Sequence, residues 1–360
     1  MKILYAIQGT GNGHLSRARD IIPLLKLKAD VDILISGTQA DLDLPYPVTY
    51  KLTGLSFIFG KKGGVDLIQS YKRSQIRNFF KEIKSLPIDK YDLVINDFEP
   101  VSAWACYFKR KPCIGLSHQS AVLNKNAPKP AHSDAIGRLV LKNYAPVTAS
   151  YGFHFKAYSA NILLPVIRKE IRDLHVSNLG HFTVYLPAYE DERIIKFLKR
   201  LPIVQWHVFS KHCTSEYRKQ NIHVSPIKNE AFIESLASCA GVLCGAGFET
   251  PAEALFLNKK LMVIPMKNQY EQQCNAAALA EMGVPVIKSL KKKALEKVYE
   301  WLISDIKVSV DYPDVTREII DVLLQEHAPK LKDVKRTSLT INTEPEPTFF
   351  TNKLYKESRN

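Results

Sequence analysis

The chain has 360 residues, of which 46% are hydrophobic and 24% charged, and its 50 Lys and Arg against 36 Asp and Glu give a net charge of +14. This composition excludes a disordered, collagen-like or coiled-coil protein for the bulk of the chain, and no apolar run reaches the roughly 18–20 residues that cross a bilayer. At roughly 100–200 residues per domain, the length predicts two domains, each with its own core.

The cysteines and the charge distribution narrow the class of protein further. The six cysteines form no C-x-x-C pair, and several lie in apolar segments, which predicts reduced thiols in a cytoplasmic protein. The first residues lead at once into a glycine-rich stretch, so no signal peptide is expected. Residues 51–90 hold nine basic and three acidic side chains. Such an excess suits nucleic acid, anionic lipid or a phosphorylated substrate, and equally a solvated helix face.

Short apolar runs alternate with helical patterns in the first half of the chain. The predicted order is a strand at 2–7, a helix at 15–28, strands at 31–36 and 48–53, a basic amphipathic helix at 67–84, and strands at 93–97, 113–118 and 147–155. Because parallel strands need crossover helices, this succession predicts a parallel, doubly wound sheet.

The pattern restarts in the second half, with strands predicted at 182–186, 204–209, 222–224, 241–244, 261–265 and 284–287. We therefore expect two Rossmann-like α/β domains in series, at 1–155 and 179–330, joined by a linker at 156–178. Residues 331–360 are polar and lack periodicity, which predicts a disordered tail.

The first candidate site is the loop Gly9-Thr10-Gly11-Asn12-Gly13-His14, between the first strand and the first helix. Its glycines let the backbone turn sharply and approach a ligand, and the helix N-terminus behind them favours negative charge. The spacing departs from G-x-G-x-x-G and no acid ends the second strand, which disfavours a dinucleotide site. His14 lies where open α/β sheets bind ligands, although a structural histidine is the alternative.

The second candidate site follows the strand predicted at 241–244. Gly245 and Gly247 precede a helix for which Thr250 is the predicted N-cap, and the positive helix end suits a diphosphate. Glu253 could accept hydrogen bonds from ribose hydroxyls, although an ordinary capped helix explains the same pattern. Glu271 and Gln272 suit sugar hydroxyls, and without an Asp-x-Asp at a strand end no divalent metal site is expected.

These motifs together resemble those of a known family. The glycine loop with His14, Gly247-x-x-Thr250-x-x-Glu253 and Pro265-x5-Glu271-Gln272 are similar to motifs of the GT-B glycosyltransferases. The resemblance is to the branch that holds the undecaprenyl-pyrophosphoryl-muramoylpentapeptide N-acetylglucosaminyltransferase (family 28) and the UDP-glycosyltransferases (family 1). Residues 92–97, 115–119 and 165–168 carry further matches.

The resemblance implies a GT-B fold, with two Rossmann-like domains facing each other across a cleft. It implies an inverting hexosyltransferase that moves a sugar from a nucleotide diphosphate sugar to a hydroxyl acceptor, with a UDP-sugar as the favoured donor. No metal and no cofactor are expected, since the nucleotide sugar is a co-substrate. A sugar-nucleotide epimerase or hydrolase on the same fold, which would need further carboxylates in the cleft, and a non-catalytic nucleotide-sugar-binding protein are the alternatives.

Residue roles carry over from the same resemblance. Thr250 and the amides after Gly247 would hold the diphosphate, Glu253 the ribose, and Glu271 with Gln272 the donor sugar. His14 would act at the acceptor hydroxyl, paired with Asp97 or with its rival Glu99, and Gly11, Asn12 and Gly13 would shape the acceptor side. Gly245 stands where relatives have His or Arg, so that diphosphate contact is absent or comes from a residue such as Arg168. His118 is either an acceptor contact or a structural histidine.

The resemblance also suggests a role for the basic residues at 51–90. Residues 51–90 include an apolar stretch at 55–59 followed by Lys61 and Lys62, which predicts docking on an anionic membrane beside a lipid-linked or cell-envelope acceptor. The protein is accordingly expected in the cytoplasm, peripheral to the inner face of the plasma membrane. No RRM, KH or helix-turn-helix pattern supports nucleic-acid binding.

Overall fold

The computed structural model of the protein describes residues 1–37, 44–55, 58–60, 64–66, 73–131 and 134–328. In this part of the chain, the first half builds a seven-stranded sheet and the second half a six-stranded one. Helices connect the successive strands, as parallel pairing requires. The doubly wound α/β class predicted from the sequence is confirmed.

The first sheet has the strand order β3-β2-β1-β6-β7-β8-β9, and all its neighbouring strands are parallel. The strands of this half are β1 Lys2–Gln8, β2 Asp30–Ser36, β3 Tyr50–Leu52, β4 Ile58–Gly60, β5 Gly64–Asp66, β6 Leu93–Asp97, β7 Cys113–Leu116, β8 Ala149–Phe153 and β9 Ile162–Leu163. Strands β4 and β5 form a separate antiparallel hairpin.

The helices of the first half are α1 Asn12–Lys26, α2 Arg73–Ser85, α3 Pro100–Lys109, α4 His118–Leu123 and α5 Ala135–Tyr144, with a 3₁₀ turn at Ile88–Lys90. Helix α1 packs on the sheet through Leu15, Ala18, Ile22 and Leu25, which recur at helical spacing and are buried. Helix α4 begins directly after β7, where the Ser117 side chain accepts a hydrogen bond from the Ser120 N–H. The strand predicted to run to residue 118 therefore ends at Leu116.

The second sheet has the order β12-β13-β11-β10-β14-β15, parallel except for β12 against β13. Its strands are β10 Phe182–Tyr185, β11 Trp206–Ser210, β12 Tyr217–Lys219, β13 Ile222–Pro226, β14 Gly241–Gly245 and β15 Lys260–Ile264. The helices are α6 Lys169–Arg172, α7 Asp191–Leu198, α8 Asn229–Ser238, α9 Glu249–Phe256, α10 Tyr270–Glu281 and α11 Leu295–Ile303, with a 3₁₀ turn at Lys292–Ala294. The strand predicted at 284–287 is reduced to one bridge, between Val263 and Val286.

The last helix of the described chain, α12 (Thr316–His327), packs against α1 of the first half. Lys28 Nζ lies 2.6 Å from Asp321 Oδ1, and the Tyr151 hydroxyl lies 2.9 Å from His327 Nε2. Buried side chains of α12 belong to a hydrophobic cluster that contains residues of both halves. The chain therefore starts in the first half and returns to it.

The predicted domain boundaries stay a prediction. Strand β9 pairs with β8 and lies inside the segment predicted as the linker, 156–178, while α12 lies inside the range predicted for the second domain. The tail predicted at 331–360 is outside the described residues.

Candidate functional site

The glycines of the first loop each answer a different requirement. A Cβ on Gly9 would lie 2.8 Å from Ile35 Cγ2, so Gly9 allows β1 to pack closely on β2. Gly11, which precedes α1, has a φ of +97°, a conformation that glycine adopts most readily. A Cβ on Gly13 would lie 3.0 Å from Glu249 Cγ, a side chain of the second half. The absence of a side chain at Gly13 therefore allows the two halves to pack closely at this point.

His14 and Asp97 meet at the carboxyl ends of neighbouring strands. Strand β1 pairs with β6 so that Ile7 lies opposite Asp97, and His14 follows in the first turn of α1, which begins at Asn12. His14 Nδ1 lies 2.8 Å from Asp97 Oδ1, and the Asp97 side chain is fully buried. Burial alone would raise the pKa of Asp97, but the adjacent Arg17 and His14 outweigh it and hold this pKa below its usual value.

Glu99, the rival partner for His14, has another role. Its carboxylate accepts hydrogen bonds from the Val101 N–H at 2.7 Å and the Ser102 N–H at 2.6 Å, and thereby caps α3. The structure therefore places Asp97, and not Glu99, on His14.

Arg17, which the sequence did not single out, binds Asp97 and a residue of the other half. Its Nη2 donates to both Asp97 oxygens, at 2.8 and 2.7 Å, and its Nη1 donates to Glu249. The guanidinium lies 5.2 Å above the Phe153 ring, and the side chain is 1% exposed. Because Arg17 follows His14 by three residues on α1, helical spacing was a signal that could have identified it.

Glu249 is the second residue that the sequence analysis missed. It is the first residue of α9, and its side chain is 17% exposed. Burial raises the pKa of this carboxyl group to about 7, although Arg17 acts in the opposite direction. No local pattern could identify it, because its partner lies 232 residues away in the sequence.

Gln119 connects His14 to Glu271 across the two halves. Its Nε2 donates to Glu271 Oε2 at 3.1 Å and lies 3.4 Å from His14 Nε2. Within the described residues, the buried Gln119 Oε1 has no hydrogen-bond partner. The contacts favour one form of His14, in which Nδ1–H donates to Asp97 and Nε2 presents a lone pair.

His118 is buried between the two halves. Its Nδ1 donates to the Phe153 carbonyl at 2.7 Å, and its Nε2 lies 2.7 Å from Asn275 Oδ1. The ring stacks on Phe248 with a centroid distance of 4.0 Å and an interplanar angle of 7°. Burial lowers the pKa of His118. Both ring nitrogens have protein partners, which favours a structural role for His118 over a contact with the acceptor.

The loop at 245–247 leads into α9, but Thr250 is not its N-cap. The helix begins at Glu249, so Thr250 lies inside the first turn, and Phe248 in the capping position provides no side-chain hydrogen bond. A Cβ would meet no atom within 4 Å at Gly247, and only Gln272 Oε1, at 3.8 Å, at Gly245. The loop thus leaves space beside the helix N-terminus.

The buried carboxylate of Glu253 is held by Arg168. Arg168 Nε donates to Glu253 Oε1 at 2.6 Å and Nη2 to Oε2 at 3.1 Å, while Nη1 donates to Glu170 and to Asn229. All three guanidinium nitrogens therefore have protein acceptors. In this arrangement Arg168 positions Glu253 instead of standing free for a diphosphate.

Glu271 and Gln272 lie in the first turn of α10. Glu271 faces the first half through Gln119, whereas Gln272 accepts a hydrogen bond from the Met266 N–H at 2.9 Å. Gln272 thereby closes the turn after β15, beside Gly245. The structure thus brings Glu271 to the His14 cluster and ties Gln272 to its own half.

Two other sequence predictions concern metals and membranes. Across the described ranges, no group of three or more His, Cys, Asp or Glu side chains is arranged to hold a metal ion. In the same part of the chain, no helix has the length and apolarity needed to span a bilayer. The predicted docking residues Lys61, Lys62 and Lys72 lie outside the described residues, as do the side chains of 56–60 and of Arg73.

Comparisons with known proteins agree with this architecture. A family model described as "Glycosyl transferase family 1" matches residues 1–303. Among curated proteins, no sequence matches the chain.

Solved structures extend the comparison to the fold. The spinosyn forosaminyltransferase SpnP is 14% identical, with 100% of each chain covered and a TM-score of 0.52. A UDP-glucosyltransferase from Polygonum tinctorium is 13% identical over 91% of this chain and 93% of its own, with a TM-score of 0.53. The spinosyn rhamnosyltransferase SpnG, complexed with thymidine diphosphate, is 12% identical over 91% and 96%, with a TM-score of 0.51. These similarities support the GT-B fold.

Proposed function

Because the chain belongs to glycosyl transferase family 1 and is a glycosyltransferase, we propose that it moves a sugar from a nucleotide diphosphate sugar to an acceptor hydroxyl, with inversion and without a metal ion or cofactor. A UDP-sugar is the donor to test first. The observation that carries the proposal is the His14–Asp97 pair, which faces the start of α9 across the two halves.

His14 is suited to act as the general base. With Nδ1–H donated to Asp97, Nε2 can accept the proton of an acceptor hydroxyl, and the carboxylate stabilises the imidazolium that forms. The hydroxyl oxygen forms a bond to the anomeric carbon while the bond from that carbon to the diphosphate breaks. Attack opposite to the leaving group inverts the configuration, and the nucleoside diphosphate keeps the bonding electron pair.

Three features of the second half support a donor site there. An added Cβ would meet open space at Gly247, next to the N-terminus of α9. Backbone N–H groups and the helix dipole favour negative charge at such a terminus, so we assign the diphosphate to it, with Thr250 in the same turn. Glu253, fixed by Arg168, would accept from the ribose hydroxyls. The related fold of SpnG was solved with thymidine diphosphate, which supports a nucleoside diphosphate as ligand.

Gln119 offers a contact for the sugar or the acceptor. Its Oε1 is buried and lacks a described protein partner, so a substrate hydroxyl could donate to it. Its Nε2 meanwhile joins Glu271, which we assign to the donor sugar, to His14. Gln272 would contact the donor only after release from the Met266 N–H.

The nature of the acceptor extends the proposal to a membrane. We keep the prediction of a lipid-linked or cell-envelope acceptor, reached in the cytoplasm at an anionic membrane through residues 51–90. Within this segment, Lys81 and Lys84 lie on α2, in the described part of the chain. Flotation with liposomes containing anionic lipid tests this prediction; an absence of preference for anionic lipid, or no loss in a K61A/K62A/K72A/R73A variant, contradicts it.

One observation keeps the epimerase alternative open to test. That reaction needs additional carboxyl groups beside the donor, and Glu249 and Glu271, in the first turns of α9 and α10, are the candidates. Each already binds a first-half side chain, Arg17 and Gln119 respectively, which favours transfer. Incorporation of solvent deuterium at sugar C2 would identify epimerisation.

The direct experiment uses radiolabelled UDP-, GDP- and dTDP-sugars with a membrane extract as the source of acceptor. We expect one donor to be consumed, with a product of inverted anomeric configuration by NMR and an unchanged rate in EDTA. H14A should lose transfer but bind UDP, E253A should lose UDP binding, and H175A, an exposed histidine, should match the wild type. Full activity of H14A or retained UDP affinity of E253A would reject these assignments.

A further inference from the structure

One buried cation, Arg17, binds carboxylates from both halves of the protein. Its Nη2 bonds both oxygens of Asp97, and its Nη1 bonds Glu249 at the start of α9. Arg17 is 1% exposed and Asp97 is fully buried. The planar guanidinium is held by two oxygens of Asp97 and one of Glu249, which fixes its orientation. A movement of either carboxylate is therefore transmitted to the other.

Two further contacts bring the start of α9 to this point. The Phe248 ring stacks on His118 at a centroid distance of 4.0 Å, which places Glu249 next to α1. Gly13, one residue before His14, lacks the Cβ that would lie 3.0 Å from Glu249 Cγ. The glycine loop of the first half is thus shaped, at this position, around a side chain of the second half.

We propose that Arg17 and Glu249 are positioning residues that couple the donor loop to the catalytic base. The inference rests on the proposed function, because it takes His14 as the base and 245–247 as the donor loop. The loop leads directly into Glu249, Glu249 orients Arg17, and Arg17 fixes the carboxylate that orients the His14 ring. The position of the donor loop at one end of this series therefore sets the geometry of the base at the other.

This coupling predicts which kinetic constant changes. Neither Arg17 nor Glu249 needs to touch the donor, so loss of their contact leaves nucleotide affinity nearly intact. The base, by contrast, loses its fixed position, and misplacement on the order of 1 Å costs about a hundredfold in rate. We therefore expect a fall in kcat at nearly constant donor Kd.

The test compares E249A, E249Q and R17K with the wild type, and E230A as the control, since Glu230 is an exposed acid in the first turn of α8. E249A should lower kcat about tenfold to a hundredfold, with Kd for UDP changed less than threefold. E249Q, which keeps an oxygen for Arg17 Nη1, should restore most of the rate. The kcat of R17K should fall as much as that of E249A, because one ammonium group cannot replace the guanidinium fork.

A steric variant provides an independent check. G13A should displace Glu249 and reproduce the E249A pattern without removing any charge. Equal losses of kcat and UDP affinity in E249A and G13A, or an unchanged kcat in both, would overturn the proposal.

A readout without turnover separates this proposal from the proposed function. ¹⁵N NMR of histidine-labelled protein, with the His14 signal assigned by its loss in H14A, reports the tautomer directly. The wild type should show Nδ1 protonated, and E249A and G13A should show a mixture. An unchanged His14 tautomer in both variants counts against the coupling even if transfer occurs. Wild-type protein that neither binds nor transfers a nucleotide sugar refutes only the proposed function.

Discussion

At the scale of single residues, Asp97 contributes both a negative charge and a hydrogen-bond acceptor to His14. In D97N the side chain keeps its size, but the imidazolium of His14 loses its counterion. The amide has one oxygen for two donors, so when this oxygen faces Arg17 its NH₂ group faces His14 and disfavours the Nδ1–H tautomer. By analogy with other carboxylate–histidine pairs, we expect kcat to fall by about 10³–10⁴. Initial rates at saturating donor measure this, with UDP affinity as the control. A D97N enzyme within tenfold of the wild type would mean that Asp97 has no such role, and D89N, at an exposed aspartate, should have no effect.

A second prediction at this scale concerns Glu249 and pH. Its pKa in the folded protein, about 7, lies above the ordinary value of 4.5, so the folded state binds more protons than the unfolded state between these values. Glu249 therefore reduces stability as the pH rises from 4.5 to 7. In E249Q this loss is absent, and its free energy of unfolding relative to wild type should increase by up to about 3 kcal/mol between pH 4.5 and pH 8.

Urea denaturation at both pH values measures the difference between the two proteins. E230Q, at an exposed position, serves as the control and should differ from the wild type by the same amount at each pH. A constant offset for E249Q would show that the burial of Glu249 does not govern its ionisation.

The four residues of this cluster show how much of the site could be predicted from the sequence. His14 and Asp97 were predictable together, because the strand order of a doubly wound sheet makes β1 and β6 neighbours and their ends meet. Arg17 carried a weaker signal, its helical spacing from His14. Glu249 carried none, since its contact joins the two halves and depends on how they pack.

At the scale of elements, α4 depends on a glycine in the strand beneath it. A Cβ on Gly152 of β8 would lie 2.4 Å from the Ala121 nitrogen and 2.7 Å from its Cα, and both are backbone atoms that cannot rotate away. G152A should therefore push α4 from the sheet and destabilise the protein by about 1–3 kcal/mol. Because α4 carries His118 and Gln119, transfer should also fall.

Thermal unfolding and rate measurements on G152A test this dependence. G245A is the matched control for stability, because its added methyl group would meet only Gln272 Oε1, at 3.8 Å. Equal melting temperatures for the two variants would show that α4 can shift without cost.

The limits of local patterns are visible in the elements that frame the site. The apolar run at 113–118 was predicted as one strand, but Ser117 caps α4 and ends the strand two residues earlier. Thr250 has the composition of an N-cap, yet α9 begins at Glu249, where Phe248 and Glu249 are engaged by His118 and Arg17. In the second case a tertiary contact overrides a capping preference that is worth about 1 kcal/mol.

At the scale of the whole molecule, the two halves should unfold together. One cluster of buried side chains includes residues of both halves and of α12, where Leu323 is fully buried. L323A should lower the stability by about 2–5 kcal/mol, and the single transition should move as a unit. I306A, at a residue that is 76% exposed, is the control. Two separate transitions by calorimetry would contradict this coupling.

The return of α12 to α1 also has a consequence for the order of synthesis. Domains generally fold as units while the chain leaves the ribosome, the N-terminal one first. Here α1 is translated some 300 residues before α12, the helix that packs against it. During that interval the nascent first half exposes an apolar face, so a chaperone that binds apolar segments has a defined place and a defined time at which to act.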